Sequence, residues 1–319
     1  MVFRGPRPAL QELLLPLLSL CEEASRAIVA AYADADPGSG TNGAGGAGAT
    51  PGLLREKSDR SPLTLADLAS HEILAVGLAG LTPDIPLLSE ESPPEAVAGR
   101  RAWPVLWMVD PLDGTREFLE RSGQFTINVA LMRNGRPELG VIYEPLAECA
   151  CVGIVGGRAG GEDKGGGGEG SGGEEAGAGA WRFRRDSGGD WIREPLATRG
   201  LTGPSLTVLS SHRHRNERLQ AALAFLGERF ALSRHNSGSA LKFCDLAAGD
   251  GDIYPRFSPC SEWDVAAGDA LVTAAGGAVW GLDQQPLRYN SRDTLLSPNF
   301  IAVGDPASGP WGELLEDLP

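Results

Sequence analysis

The run Trp107-Met108-Val109-Asp110-Pro111-Leu112-Asp113-Gly114-Thr115-Arg116-Glu117-Phe118 holds the densest chemistry in the chain. Val105 to Val109 read as a buried strand. Pro111 can neither donate to a ladder nor continue a helix, so Asp110 is expected where the strand opens into a turn, its carboxylate exposed. Asp113 can turn back to the same point, and Gly114 and Thr115 open the next helix with amides that lack intrahelical partners. Two hard oxygen ligands beside an anion-binding helix start suit a divalent cation bridging to phosphate oxygens, the arrangement of phosphoryl transfer. An Asx-rich turn can be purely structural. Two acids, a rigid Pro and a Gly-Thr helix start within six positions are nevertheless more specific than a lone glycine-rich loop.

The rest of the chain must position these groups. Its 319 residues suffice for two domains or one large layered one. The formal charge is −14, from 28 Lys and Arg against 42 Asp and Glu, which disfavours a nucleic acid polymer as partner. A small phosphorylated ligand stays compatible, because a bound cation or helix dipole sets the local sign. Five cysteines, Cys21, Cys149, Cys151, Cys244 and Cys260, form no metal-ligand repeat. They read as reduced thiols of a cytoplasmic protein, with peripheral attachment to the inner membrane left open. No stretch reaches the roughly 18 uninterrupted apolar residues of a spanning helix, and no basic segment leads into a small-residue cleavage site.

Apolar residues at Leu10, Leu13, Leu14, Leu17, Leu20, Ala24, Ile28 and Ala31 predict a helix over residues 9 to 33. Residues 36 to 52, rich in Gly, Ala, Pro, Ser and Thr, read as a mobile loop. Ser61-Pro62 breaks the chain before a helix on which Asp67 sits, with Leu68, Ile73, Leu74, Val76 and Leu78 as its apolar side. Ile85 to Glu91 is a short strand ending in Glu90 and Glu91, which alternation points in opposite directions, so one of them serves a given site. Phe125–Met132 and Leu139–Tyr143 are strands joined at Asn134-Gly135, and Cys149–Val155 is a third. Gly156 to Gly179 is Gly- and Glu-rich low complexity and Trp181-Arg182-Phe183 resumes strand pattern, with residues 156 to 190 expected to be a disordered hairpin insertion without catalytic duty. Leu206–Leu209 is a strand, Asn216–Arg229 a helix with Leu219, Leu223 and Leu226 on one face, and Ser237–Cys244 a loop opening another helix. Ile253-Tyr254 is a short strand, Glu262 starts a helix ending at Gly276-Gly277, and Val279 to Gly281 begins a last strand. The expected division is an N-terminal metal-binding α+β domain over residues 1 to 197 and a C-terminal α/β domain over 198 to 319.

Each remaining candidate also has a plainer reading. Asp264 is a favoured helix N-cap, which still leaves one carboxylate oxygen for a ligand. Glu90 with Glu91 fits a solvated strand end, Asp67 a first-turn surface residue, and Thr115 a cap. Lys242 fits a solvated amine and His212 a loop histidine.

Asp110 to Thr115, with Trp107 ahead and Phe118 behind, resembles the first signature of the inositol monophosphatase-like superfamily of metal-dependent phosphatases. Trp263-Asp264-Val265-Ala266-Ala267-Gly268 through Ala275-Gly276-Gly277 resembles its second. Five finer matches are similar to the branch of 3'(2'),5'-bisphosphate nucleotidases: Lys57–Asp67, Leu88–Glu91, Gln124–Asn128, Gly238–Cys244 and Tyr254–Phe257. Two departures stand out: Glu120 lies where that branch usually has a basic residue, and Ser210-Ser211-His212 lacks its preceding arginine.

The resemblance implies a layered αβαβα sandwich of the inositol monophosphatase/fructose-1,6-bisphosphatase type, within the α+β class. It implies two to three magnesium ions held by Glu90, Asp110, Asp113, Asp264 and the Leu112 carbonyl. It makes Asp67 with Thr115 the pair that orients and deprotonates water. Gly114 and Thr115 would cradle phosphate, and Glu90 and Asp264 would reach the substrate through the ions. Gly238, Ser239, Lys242 and His212 would face the nucleotide, with Lys242 as the charge for a second phosphate. The implied substrate is 3'-phosphoadenosine 5'-phosphate, cleared to AMP and phosphate as a by-product of sulfate assimilation, with lithium as inhibitor. A polyol phosphatase and a catalytically silent phosphonucleotide sensor are the competing readings.

Overall fold

Strands whose alternate residues face two different helical layers read as nearly continuous apolar runs, and the central sheet is built from such strands. A computed structural model describes residues 9–34, 54–56, 62–156, 177–211 and 216–318. The expected mobile loop and His212 lie outside the described residues.

The elements in chain order are α1 (Leu10–Asp34), β1 (Leu54–Glu56), β2 (Pro62–Thr64), α2 (Leu65–Leu81), β3 (Leu87–Ser89), β4 (Val105–Asp113), α3 (Thr115–Leu119), β5 (Thr126–Arg133), β6 (Arg136–Glu144), β7 (Cys149–Ile154), β8 (Gly179–Arg185) and β9 (Trp191–Leu196). They continue with β10 (Ser205–Ser210), α4 (Glu217–Gly227), β11 (Ala231–Asn236), α5 (Leu241–Ala247), β12 (Ile253–Arg256), α6 (Ala266–Ala274), β13 (Ala278–Gly281), β14 (Phe300–Val303) and α7 (Trp311–Glu316). β3 to β9 form a seven-stranded sheet in sequential order, antiparallel except for the β3–β4 pair. The second sheet runs β11-β10-β12-β14-β13, with β10 parallel to both neighbours.

Three apolar clusters order the layers. On one face of the large sheet Val105, Trp107, Val109, Ile127, Val129 and Leu131 pack against Leu17, Leu18, Cys21 and Leu74 of α1 and α2. On its other face Leu106, Met108 and Ala130 meet Phe243, Ala267 and Leu271 of α5 and α6, which also cover the second sheet at Leu209, Tyr254 and Phe300. Leu219, Leu226, Trp311 and Leu314 of α4 and α7 close the far side. The order is α, β, α, β, α, as expected, and the middle layer gives both sheets one shared core.

Several expectations are corrected. β8 pairs onto β7 and β9 onto β8, so Trp181-Arg182-Phe183 is strand as its pattern predicts and residues 179–185 belong to the sheet and not to an insertion, while 157–176 lie outside the described residues. β13 is not the last strand, because β14 pairs with it. α2 turns Ala66, Asp67, Ser70, Leu74 and Leu78 inward and leaves Val76 71% exposed, since the i, i+4 row Ala66, Ser70, Leu74 and Leu78 forms the face that meets the sheet.

Asn134 and Gly135 both take positive φ in the β5–β6 hairpin, as that dipeptide favours. Two strand glycines explain how close α6 comes. A Cβ at Gly140 would lie 2.2 Å from the Ala267 carbonyl oxygen, and one at Gly153 would lie 2.4 Å from Leu271 Cα. Gly140→Ala is therefore expected to cost about 1–3 kcal/mol through overpacking, displacing α6 and with it the turn that bears Asp264. Thermal melts check this. A variant that melts with the parent would show that the glycine does not seat the helix.

Candidate active site

The site forms where β4 ends. Asp110 pairs with Asn128 and Asp113 with Thr126, and the register shifts between them, leaving Pro111 and Leu112 in a bulge. Pro111 has no amide to donate, so a bulge suits it better than a ladder position. The strand thus runs to Asp113 instead of opening at Asp110, and Asp110 is buried at 2% exposure, not exposed. The Leu112 amide donates to Asp110 Oδ1 at 3.1 Å, and Ser70 Oγ of α2 donates to the Pro111 carbonyl at 2.7 Å, fixing the bulge from both sides. Asp67 lies buried on the same inward face of α2, and its charge acts on Asp110.

Beyond the bulge, Gly114 at φ 89° is the residue that caps α3, so Thr115 is not the cap. Thr115 Oγ1 donates to the Leu112 carbonyl at 3.2 Å, and Gly114 and Thr115 line the adjoining cleft. From the sheet edge, the Glu90 amide donates to the Val109 carbonyl at 3.2 Å, and the Glu90 charge presses on Asp110 and Asp264. The Glu91 charge acts instead on His71, as opposite-facing side chains should. Asp264 ends a 3-10 turn, Glu262–Asp264, ahead of α6, and its Oδ2 accepts from the Ser261 amide at 3.0 Å. It is the third residue of a capping box and not the N-cap, with one oxygen left over as expected.

Carboxylate oxygens of Asp110, Asp113 and Asp264 lie within 4.8 Å of one another. Burial first, and then the charges of Glu90, Asp113, Asp264 and Asp67, push the Asp110 carboxyl well above its ordinary range. Burial and Asp113 push Asp264 up to about 8. Mutually repelling buried acids with only oxygen donors are the chemistry a hard divalent cation satisfies, so these residues fit magnesium.

The motif left part of the supporting shell unread. Ser239 Oγ donates to Asp113 Oδ2 at 2.5 Å, Asn128 Nδ2 reaches the same oxygen at 3.4 Å, and Thr126 Oγ1 bonds both Asn128 Oδ1 and Ser239 Oγ. Ser239, expected at the nucleotide, lines the cleft and also orients the Asp113 carboxylate, from a left-handed φ of 47°. Gly238 has no room for a side chain, since a Cβ would lie 2.8 Å from Gln124 Cβ. Lys242, expected to face the nucleotide, lines the cleft but is only 2% exposed, and its ammonium donates to the Ser237 carbonyl at 2.9 Å and the Ser239 carbonyl at 2.6 Å, so it also fastens this loop. Arg256, on β12, is a partly exposed cation at the cleft that also donates to the Ser258 and Pro259 carbonyls, and the exposed Arg116 of α3 lines the same cleft. Its lining includes Asp113, Thr115, Arg116, Lys242, Arg256 and Asp264, and its volume, about 240 Å³, suits a small phosphate ester, not a polymer.

A carboxylate cluster at a bulged strand end, facing a cation-bearing cleft on an αβαβα scaffold, defines a phosphoester-cleaving class of site. The sequence model described as the inositol monophosphatase family matches residues 49–308, and the chain belongs to that family. It is 39% identical over 253 residues to the 3'(2'),5'-bisphosphate nucleotidase CysQ of Salmonella typhimurium, covering 79% of this chain and 89% of that one. The protein of the same name from Escherichia coli K12 is 38% identical over the same coverage. Among solved structures, CysQ from Bacteroides thetaiotaomicron superposes with a TM-score of 0.70 at 31% identity, over 92% of this chain and 97% of that one. The Anabaena inositol monophosphatase, at 21% identity and a TM-score of 0.62, shares the fold.

Proposed function

We propose that this chain is a magnesium-dependent 3'(2'),5'-bisphosphate nucleotidase, hydrolysing the 3'-phosphate of 3'-phosphoadenosine 5'-phosphate to AMP and phosphate. The observation that carries the reading is the convergence of Asp110, Asp113 and Asp264 beside a cleft that Arg256 and Lys242 line. Glu90, Asp110, Asp113, Asp264 and the Leu112 carbonyl hold the ions, two to three in number. Bound magnesium supplies Lewis acidity at the phosphate and at the leaving oxygen. Asp67, with Thr115, orients the attacking water and takes its proton. The Gly114 and Thr115 amides receive the phosphate oxygens, and Ser239 and Asn128 hold Asp113 in the orientation its ion needs. Arg256 takes the 5'-phosphate, the charge a single-phosphate polyol does not require. His212 remains a candidate nucleotide contact.

No described helix is long and apolar enough to cross a membrane, and all five cysteines are free, which supports a cytoplasmic setting. The partner is a small nucleotide, not a nucleic acid polymer. We place the division of the chain between residues 197 and 198, ahead of β10. Phosphate release from the adenosine bisphosphate and from inositol 1-phosphate, each with magnesium, without it, and with lithium added, tests this reading. Magnesium-dependent, lithium-sensitive turnover that favours the bisphosphate is expected. Preference for the inositol ester would make the chain a polyol phosphatase, and binding without turnover would make it a sensor.

A further inference from the structure

Outside the carboxylate site, the sheet brings together a second set of donors that the chain order hides. Glu144 at the end of β6 is opposite Cys149 on β7, and Cys151 follows two residues on, on the same face. Arg182 of β8 stands opposite Cys151. Cys244 of α5 comes down onto this face, so that ligand atoms of Glu144, Cys151 and Cys244 all lie within 4.8 Å of one another. Cys149, half-buried, shares a hydrogen bond with the Glu144 carboxylate and adds a fourth donor at the rim.

We propose that Cys151, Cys244 and Glu144, with Cys149 as fourth ligand, form a second metal site that takes a thiophilic d10 cation such as zinc. The donor types separate it from the all-oxygen site, since thiolates select soft cations and carboxylate clusters hard ones. The spacing fits: two sulfurs on one tetrahedral zinc, each at about 2.3 Å, stand about 3.8 Å apart, so the three groups need to close by no more than about 1 Å. Arg182 bonds Cys151 and offsets part of the negative charge a thiolate-rich site accumulates. Cys151 is the natural first ligand, because the Cys244 hydrogen bond and Arg182 favour its thiolate, whereas burial pushes Cys149 up to about 12 and the bond to Cys151, with burial second, raises Cys244. Uptake then releases protons, and affinity rises with pH. Occupancy would clamp β7 to α5, the helix whose Lys242 fastens the Ser239 loop.

The test is a cobalt titration of the full chain, stripped of metal and with its thiols reduced. A thiolate-to-cobalt charge-transfer band saturating at one equivalent, displaced by zinc, is expected. It should persist in Asp110→Asn, which alters only the oxygen site, and vanish in Cys151→Ala and Cys244→Ala, with zinc affinity lowered at least about 100-fold. Should either cysteine variant fail to fold, alkylation of the wild-type chain read by peptide mass spectrometry decides instead, with zinc expected to slow labelling of Cys149. Absence of the band in reduced protein overturns the proposal, as does a band that survives in the Cys151→Ala/Cys244→Ala double variant, or labelling of Cys149 that zinc leaves unchanged.

Discussion

Asp110→Asn is expected to lower kcat by about 10³-fold or more while making the metal-free protein more stable at pH 8 than its parent. The loss follows from removing a charged oxygen ligand whose contribution to the bound ions is several kcal/mol, each 1.36 kcal/mol being about a factor of ten in rate. The gain follows from linkage. Asp110 is raised first by burial and then by Glu90, Asp113, Asp264 and Asp67, so the folded state without metal binds a proton there more readily than the unfolded chain does. A carboxyl raised on folding contributes its stability below the unfolded value and loses it as pH climbs through the folded one. The metal-free parent should therefore weaken from the ordinary carboxylate range upward through about 8, where Asp264 titrates. The neutral amide removes the most strongly opposed charge, flattening that slope, and also removes much of the stabilisation that magnesium gives the parent. Melting temperatures against pH, with and without magnesium, measure both effects. A metal-free parent no less stable at pH 8 than at pH 5, or a variant with normal turnover, would refute the assignment.

Lys242→Met and Arg256→Met are expected to fail in different ways. Lys242 is buried, and its ammonium satisfies two carbonyls of the loop that carries Ser239. Its removal leaves those carbonyls without their charged donor, at about 1.5–3 kcal/mol for each bond, and loosens the Ser239 contact to Asp113. Stability and kcat should fall together, equally for one- and two-phosphate substrates. Burial lowers the Lys242 pKa to about 8, against the pull of Asp113, so between that value and the ordinary lysine range the unfolded chain binds more protons and this group's contribution to stability should rise with pH, the neutral amine still donating to the loop. Arg256 borders the cleft with its side chain partly exposed. Replacing it removes one charged hydrogen bond to the second phosphate, about 2–3 kcal/mol, which raises KM for the bisphosphate by about 30–150-fold and leaves a monophosphate nearly unaffected. Equal losses on both substrates in Arg256→Met would assign the second phosphate elsewhere.

Much of this site could be read from residue types. Asp110, Asp113 and Gly114 carry a signature because a bulge, a left-handed glycine and paired acids are local requirements, set within a few residues. The Asn134-Gly135 hairpin was legible for the same reason, as was the long helix from its apolar spacing. Val76 was misplaced because periodicity does not say which of two apolar stripes the sheet will accept, and the row through Ala66, Ser70, Leu74 and Leu78 is the one it covers. β11 and β14 went unread, each a short strand that depends on its neighbours for pairing.

The roles of Ser239 and Lys242 were open to no local argument. Ser239 and Asp113 are 126 residues apart, and only the docking of α5 and α6 onto the glycine-lined face of β6 and β7 makes one hydroxyl meet one carboxylate. Burial turned Lys242 inward and Asp110 with it. A charged side chain reads as solvent-facing until the surrounding layers are known, because an ordinary ammonium or carboxylate is costly to bury. The amino-acid sequence by itself determined the acids and their hard-cation chemistry, since composition and short-range spacing fix which atoms are on offer, and its family resemblance implied the layered class. Tertiary structure alone decided which of those atoms share a point in space, because packing between layers, and not proximity along the chain, sets the distances at which charges repel and ligands converge.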